Sequence, residues 1–183
     1  MGDGKGVDAE ELVARARRLE PESLLDVIVE HGVDFIVVGG YAVAAHGFPR
    51  ATKDIDICPE PSDENFRRLA GALAKLEAKL IGLDEFEGEF SLTPDVEALK
   101  IGGNWVLMTK HGRLDLLQHI QGLGDDGGGW KELKPHAVTR QFLGHQCLFC
   151  GYEDLRKMKL AADRGQDRID LATLAAQRHE SRS

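Results

Sequence analysis

The chain has 183 residues, 42% of them apolar and 30% charged, the make-up of an ordinary globular protein with a real core. A formal net charge of −8 disfavours broad, sequence-independent nucleic-acid binding, which relies on Lys and Arg meeting phosphates. No apolar run approaches the ~20 residues that span a bilayer, and MGDGKGVDAEE at the N-terminus lacks a signal peptide's apolar core, so no membrane partner and a cytoplasmic location are expected.

In chain order, residues 1–7 are Gly-rich and are expected to be disordered. Asp8 with Glu11 reads as a capping-box variant, and Ala9, Leu12, Val13, Ala16 and Leu19 share one helical stripe. Pro21 interrupts that helix, and a second carries Leu24, Leu25 and Ile28 to a stop near Gly32. Phe35–Val38 is a continuously apolar strand of the kind buried on both faces. Gly39-Gly40 closes it, Tyr41–His46 can form a helix, and Gly47, Phe48 and Pro49 stop that helix. Residues 53–58 alternate as a strand does. Ser62 caps a further helix with Phe66, Leu69, Ala70, Leu73 and Leu76 inward.

Gly82 to Gly103 reads as a loop and one strand, and Trp105–Thr109 and Arg113–Leu117 as two strands joined by a tight turn. Gly122–Gly129 is the strongest loop or linker signal. Short strands are expected around Ala137–Val138 and Gln146–Phe149, then helix from Glu153 to about Gln177 with a break at Gly165. The fold class is therefore α/β (α+β): a small mixed sheet flanked by helices, with a C-terminal helical region. Residues 8–183 form one expected domain, with N-terminal helices over 8–32, the sheet core over 33–150 and C-terminal helices over 151–183.

Chemistry concentrates at Asp54 and Asp56. Residues i and i+2 of a strand share a face, so these two carboxylates project together while Ile55 and Ile57 pack. Adjacent carboxylates raise one another's pKa unless a cation sits between them. Magnesium is the natural cation, since it takes oxygen ligands from a few carboxylates and substrate phosphates; manganese is a second candidate. Asp115, in the strand-like RLDLL, is the expected third ligand. Three such carboxylates can support two ions about 3.5–4 Å apart. Taken alone, a DxD pair is commonly a solvent-facing coincidence; the flanking isoleucines, the upstream strand–GG–helix and the later LDLL favour a metal site. Gly39-Gly40 suits close approach of phosphate, although a glycine pair by itself is more often a tight turn. GxxxxGK[ST] does not occur.

VVGGYAVAAHGFPRATKDIDI closely resembles the signature of nucleotidyltransferases of the DNA polymerase beta superfamily: GG or GS after the first strand, DxD, then a third acidic residue on a later strand. Gly39-Gly40, Asp54/Asp56 and Asp115 match it. The HG and R-A-T-x-D-x-D version is typical of small bacterial nucleotidyltransferase-like proteins, a group that includes relatives of toxins of toxin–antitoxin systems. YEDLRKMKLAADRGQDRIDLATL resembles the family's C-terminal helical motif, with Lys159, Asp167 and Asp170 matching and Arg164 nearby. The resemblance spans roughly Val33 to Leu174, with Gly-Gly in place of the Gly-Ser of many members.

The resemblance implies transfer of a nucleoside monophosphate from a nucleoside triphosphate to an RNA or protein hydroxyl, with a cognate antitoxin as partner if the chain is a toxin. Asp54 and Asp56 would hold the metal that grips the triphosphate, and Asp115 would complete the site and help activate the acceptor. Gly39, Gly40, Thr52, Lys53, Lys159 and Asp167 would bind the nucleotide, Lys53 and Lys159 by neutralising phosphate. Two other functions stay open: a non-catalytic nucleotide- or partner-binding module, and a small-molecule (antibiotic) nucleotidyltransferase with an acidic acceptor pocket. Without the resemblance, Lys159 reads as a partner of Asp163 at i+4, and Asp167 and Asp170 as a solvated face.

Other residues carry weaker signals. His145, Cys147 and Cys150 have zinc-like spacing, with His136 as a fourth ligand, but Leu148-Phe149 reads as strand core. Three cysteines, Cys58 included, are too few and too sparse for a disulfide scaffold. His46 is either a site residue or a polar helix end. Arg15, Arg17 and Arg18 form a basic spot that is either solvated surface or a contact for RNA or a partner.

Overall fold

A computed structural model describes residues 18–81, 89–90, 93–125 and 127–180. The disordered stretch expected over 1–7, the capped helix from Asp8, and Arg15 and Arg17 lie outside the described residues. The elements are α1 (Pro21–Glu30), β1 (Phe35–Val37), α2 (Gly39–Ala45), β2 (Asp54–Pro59), α3 (Asp63–Lys75), β3 (Lys79–Ile81), β4 (Glu89–Phe90), α4 (Val96–Ile101), β5 (Asn104–Thr109), β6 (Gly112–Leu117), α5 (Trp130–Leu133), β7 (Val138–Phe142), β8 (His145–Phe149), α6 (Tyr152–Ala162) and α7 (Gly165–Glu180). A short 3-10 turn, Lys134–His136, follows α5.

The strands form one mixed eight-stranded sheet in the order β4-β3-β5-β6-β2-β1-β8-β7. β2 runs parallel to β6 and antiparallel to β1, and β1 runs parallel to β8. The apolar run at β1 is central, and its three residues are all buried, as a strand covered on both faces requires. Ile55 and Ile57 of β2 sit opposite Leu114 and Leu116 of β6, and all four are fully buried. Burying each such side chain contributes about 1.5–3 kcal/mol. The alternate residues, Asp54 and Asp56 on β2 and Arg113 and Asp115 on β6, take the opposite face by the pleat alone.

The helices follow local rules. Ser62 caps α3 by accepting the Asn65 N–H at 3.3 Å, with Asp63 and Glu64 in the first turn and Lys75 in the last. Asn65 is itself buried because it pairs with the chain entering β1: it accepts the Asp34 N–H at 2.7 Å and donates to the Asp34 and Glu60 carbonyls at 2.9 and 2.8 Å. α3 packs on α1 and α4, and α6 on α2 and α7.

Several expectations are corrected. Pro21 opens α1 at a first-turn position, where its missing N–H costs nothing. The stretch from Gly82 to Gly103 contains the helix α4, capped by Asp95, which accepts the Ala98 N–H at 2.8 Å. Gly122–Gly129 is no free linker. Ile120 and Gly128 bridge across it, and a Cβ on Gly122 would stand 2.6 Å from the Lys157 carbonyl oxygen. The last two strands are longer than expected and form a hairpin, whose turn residues Leu143 and Gly144 both have positive φ. The helical break at Gly165 is observed, with Asp163 left-handed at the end of α6.

Candidate active site

Pairing of β2 with β6 places Asp56 directly opposite Asp115, and Asp54 opposite Arg113. Asp54, Asp56 and Asp115 each offer a carboxylate oxygen within 4.8 Å of the others, and among the described residues no other group of His, Cys, Asp and Glu gathers this way. Burial, with Asp54 and Asp115 beside it, pushes the Asp56 carboxyl up to about 7, against the opposing Gly40 N–H and Lys159. Burial likewise raises Asp115, opposed by its hydrogen bonds from Arg113. Arg113 grips Asp115 with both arms, Nε at 2.8 Å and Nη2 at 2.7 Å, and its Nε stands 3.8 Å from Asp54 Oδ2. Thr52 donates its hydroxyl to Asp54 Oδ1 at 3.0 Å.

The glycine pair makes room for this cluster. Gly39 has φ +62°, and a Cβ there would sit 1.9 Å from Asp56 Oδ2. A Cβ on Gly40 would sit 2.6 Å from Thr52 Oγ1 and 3.3 Å from Arg50 Nη2. Only glycine lets β1 pass into α2 this close to the carboxylates.

Two clefts meet at Asp56. One, of about 370 Å³, is lined by Gly40, Thr52, Asp54 and Asp115 together with the cations Arg50, Lys53, Arg113 and Arg164. The other, of about 420 Å³, has an apolar wall of Val38, Leu117, Ile120, Leu155 and Met158, and polar groups at Asn104, His119 and Gln121. Asp56, Lys159, Arg164 and Asp167 line both.

No protein-family model matches the chain, and no curated protein matches it in sequence. Among solved structures, the lincosamide antibiotic adenylyltransferase LnuA, determined with lincomycin bound, matches over 87% of this chain and 98% of its own, with TM-score 0.58 and 16% identity. TM1012 of Thermotoga maritima, provisionally named a nucleotidyltransferase, matches over 88% of this chain and 97% of its own, with TM-score 0.51 and 16% identity. The fold is that of the nucleotidyltransferases.

On this nucleotidyltransferase fold the residues singled out in the sequence converge, but not all as expected. Asp54, Asp56 and Asp115 form one cluster; Gly39, Gly40, Thr52 and Lys53 border it. Lys159 does not pair with Asp163. Its Nζ lies 2.8 Å from both Asp167 Oδ1 and Asp170 Oδ2, and all three side chains are buried, not a solvated face. Asp163 pairs with Arg168 instead. The zinc spacing does not assemble: His145 pairs with Asp26 at 2.6 Å and His136 with Asp154 at 2.9 Å. The three cysteines are free and buried, and burial pushes Cys58 up to about 12, which leaves its thiol unreactive. His46 is a structural tie, donating from Nε2 to the Cys150 carbonyl at 2.9 Å.

The sequence reading passed over Arg113 and Arg50. Strand periodicity from Asp115 places Arg113 on the carboxylate face, a signal that was available. Arg50 stands in the quoted RATKDID run, but its partner Asp170 is 120 residues away in sequence.

Proposed function

We propose that the chain transfers a nucleoside monophosphate from a nucleoside triphosphate to an acceptor hydroxyl, assisted by magnesium, with manganese as a substitute, in the cytoplasm. The convergence of Asp54, Asp56 and Asp115 on one sheet face carries this reading. Three carboxylates and no sulfur or imidazole make an oxygen-only donor set that fits these hard cations. Burial and the carboxylates of Asp54 and Asp115 raise the Asp56 carboxyl, a repulsion that a cation among the three would offset. A divalent ion held there would supply charge neutralisation to the phosphates and to the attacking oxygen.

The chain's own residues then divide the work. The cationic cleft, with Gly40, Thr52, Lys53, Arg50 and Arg164, suits the triphosphate. The half-apolar cleft on the far side of Asp56 suits the nucleoside. The acceptor oxygen attacks the α-phosphorus, the bond from that phosphorus to the bridging oxygen breaks, and pyrophosphate leaves. Asp115, opposite Asp56 in the cluster, is the residue assigned to receive or relay the acceptor's proton. An intact carboxylate cluster favours this enzyme over a non-catalytic binding module on the same fold.

The motif resemblance supports an RNA or protein acceptor and a toxin with a cognate antitoxin. A second reading, a small-molecule acceptor, is favoured by the likeness to LnuA, which acts on a lincosamide antibiotic. A polycationic aminoglycoside is the poorer choice of small molecule. The described carboxylates lining both clefts are either in the cluster or, like Asp167, already paired with Lys159 and Arg164.

The test is label transfer from each α-labelled nucleoside triphosphate, with magnesium, into separate pools of RNA, protein and lincomycin. The wild type is expected to label one pool and Asp54→Ala/Asp56→Ala none. Equal labelling by both proteins, or none from a wild type that binds no magnesium nucleotide, would refute the proposal.

A further inference from the structure

We propose that Lys159, Asp167 and Asp170 form a buried ionic clasp whose task is to position Arg50 and Arg164 as the polyphosphate-binding cations of the cleft. This rests on the nucleotidyl-transfer reading, and it reassigns Lys159 from a phosphate ligand to a positioning residue.

The geometry is unusual for a protein interior. Lys159, Asp167 and Asp170 retain 6%, 1% and 2% exposure, so three ionisable side chains are out of water at the α6–α7 junction. The spacing of three along α7 puts both aspartates on one face, and Lys159 of α6 is inserted between them. Each carboxylate is shared with one arginine of the cleft. Asp167 Oδ2 accepts from Arg164 Nε at 2.8 Å and from the Arg164 backbone N–H at 3.2 Å. Asp170 Oδ2 accepts from Arg50 Nη2 at 3.1 Å, Oδ1 accepts from Gln166 Nε2 at 2.9 Å, and Arg50 Nε stands 2.9 Å from Oδ1 as an ion pair. Burial works to raise both carboxyls and is outweighed by these donors, so both stay below the ordinary carboxylate range.

Three features turn this into an assignment. First, Lys159 faces two carboxylates at contact distance and is buried, so its charge is spent before any phosphate arrives. Second, the set holds three cations against two anions, and the surplus positive charge faces the cleft. Arg50 and Arg164 both line that cleft; Arg50 is 26% exposed and stands over Gly40, while Arg164 is 76% exposed. Third, stability does not call for such a cluster, because apolar residues of similar volume replace buried ion pairs neutrally or with a gain. What apolar residues could not do is hold two guanidinium groups from separate segments, the loop before β2 and the link between α6 and α7, on one cleft. A planar guanidinium fixed by a carboxylate still has free N–H groups for a phosphate.

The test is calorimetric binding of magnesium tripolyphosphate, which has no nucleoside, to the full chain. Wild type is expected to bind, and Asp54→Ala/Asp56→Ala to bind at least tenfold more weakly. Arg50→Gln and Arg164→Gln alter exposed or half-exposed side chains and are each expected to lose about tenfold. Asp170→Asn is expected to lose as much as Arg50→Gln, yet to cost nothing further in the Arg50→Gln background, because it acts through Arg50. A purely structural role would make the two losses multiply. The inference is overturned if either arginine variant binds as wild type does, or if Asp170→Asn and Arg50→Gln combine multiplicatively. Should Asp170→Asn fail to fold, the two arginine variants decide alone. Wild type that binds no tripolyphosphate refutes the nucleotidyl-transfer reading along with the clasp, whereas binding unchanged by the arginine variants refutes the clasp only.

Discussion

Asp56 is where the fold's demands and the site's chemistry oppose each other. Burial and two neighbouring carboxylates hold its carboxyl near 7, far above an unfolded aspartate at about 3.9. Between those two values the folded chain binds a proton that the unfolded chain has lost, so this residue's contribution to stability declines as pH rises from about 4 to about 7 and is flat above. Asp56→Asn removes the carboxylate at almost no change in volume. Thermal melts of the metal-free proteins should show wild type gaining on the variant as pH is lowered from 8 to 5, with little change above 7 and a steady gain below it. Added magnesium should stabilise wild type more at pH 8 than at pH 6, and leave the variant nearly unmoved at both. A gap between the proteins that is independent of pH would contradict the assignment. The DxD spacing made this residue legible in the sequence, because period-two geometry alone aligns Asp54 with Asp56. Its depth was not legible, since that depends on which strand lies beside β2.

At the scale of elements, the β1–α2 junction does the most for the site. Gly39 is left-handed and sits where any side chain would strike Asp56. Gly39→Ala should therefore cost ~1–2 kcal/mol for the backbone conformation and displace Asp56 as well. Urea unfolding with and without magnesium is the check: the variant should lose stability and also lose the magnesium-induced gain. Loss of stability with the magnesium gain intact would mean that the glycine serves only the turn. Elements with a strong local signal were readable: β1 from its apolar run, α3 from the Ser62 cap, and the β5–β6 pair from its alternation. Those that escaped have weak or mixed patterns. α4 is six residues long, and Leu99 is its buried residue, which gives a periodicity search almost nothing to register. β7 lies at the sheet edge with Thr139, Arg140 and Gln141 exposed, so its pattern is not that of a half-buried strand. The Gly-rich run from Gly122 looked like a linker because packing against Lys157 and Gln118 also selects glycine.

Over the whole molecule, the sheet order decides what the motifs can do. β2 could have paired with other strands, but β6 beside it brings Asp115 opposite Asp56, and β1 on the other side brings the glycines. The C-terminal helices then reach the same point through Lys159, Asp167 and Asp170, contacts that span the loop before β2 and α7. Such long-range pairings leave no local trace, which is why Arg50 was passed over. Among the described residues no helix is long and apolar enough to cross a membrane. The central claim is that this convergence of strands is a cation-dependent phosphate site. Anomalous diffraction from crystals grown with manganese and a non-hydrolysable nucleoside triphosphate tests it most directly. The account predicts an anomalous peak bounded by Asp54, Asp56 and Asp115, with the triphosphate in the cleft of Arg50, Lys53 and Arg164. Nucleotide bound elsewhere, or in that cleft with no manganese on the three carboxylates, would contradict it.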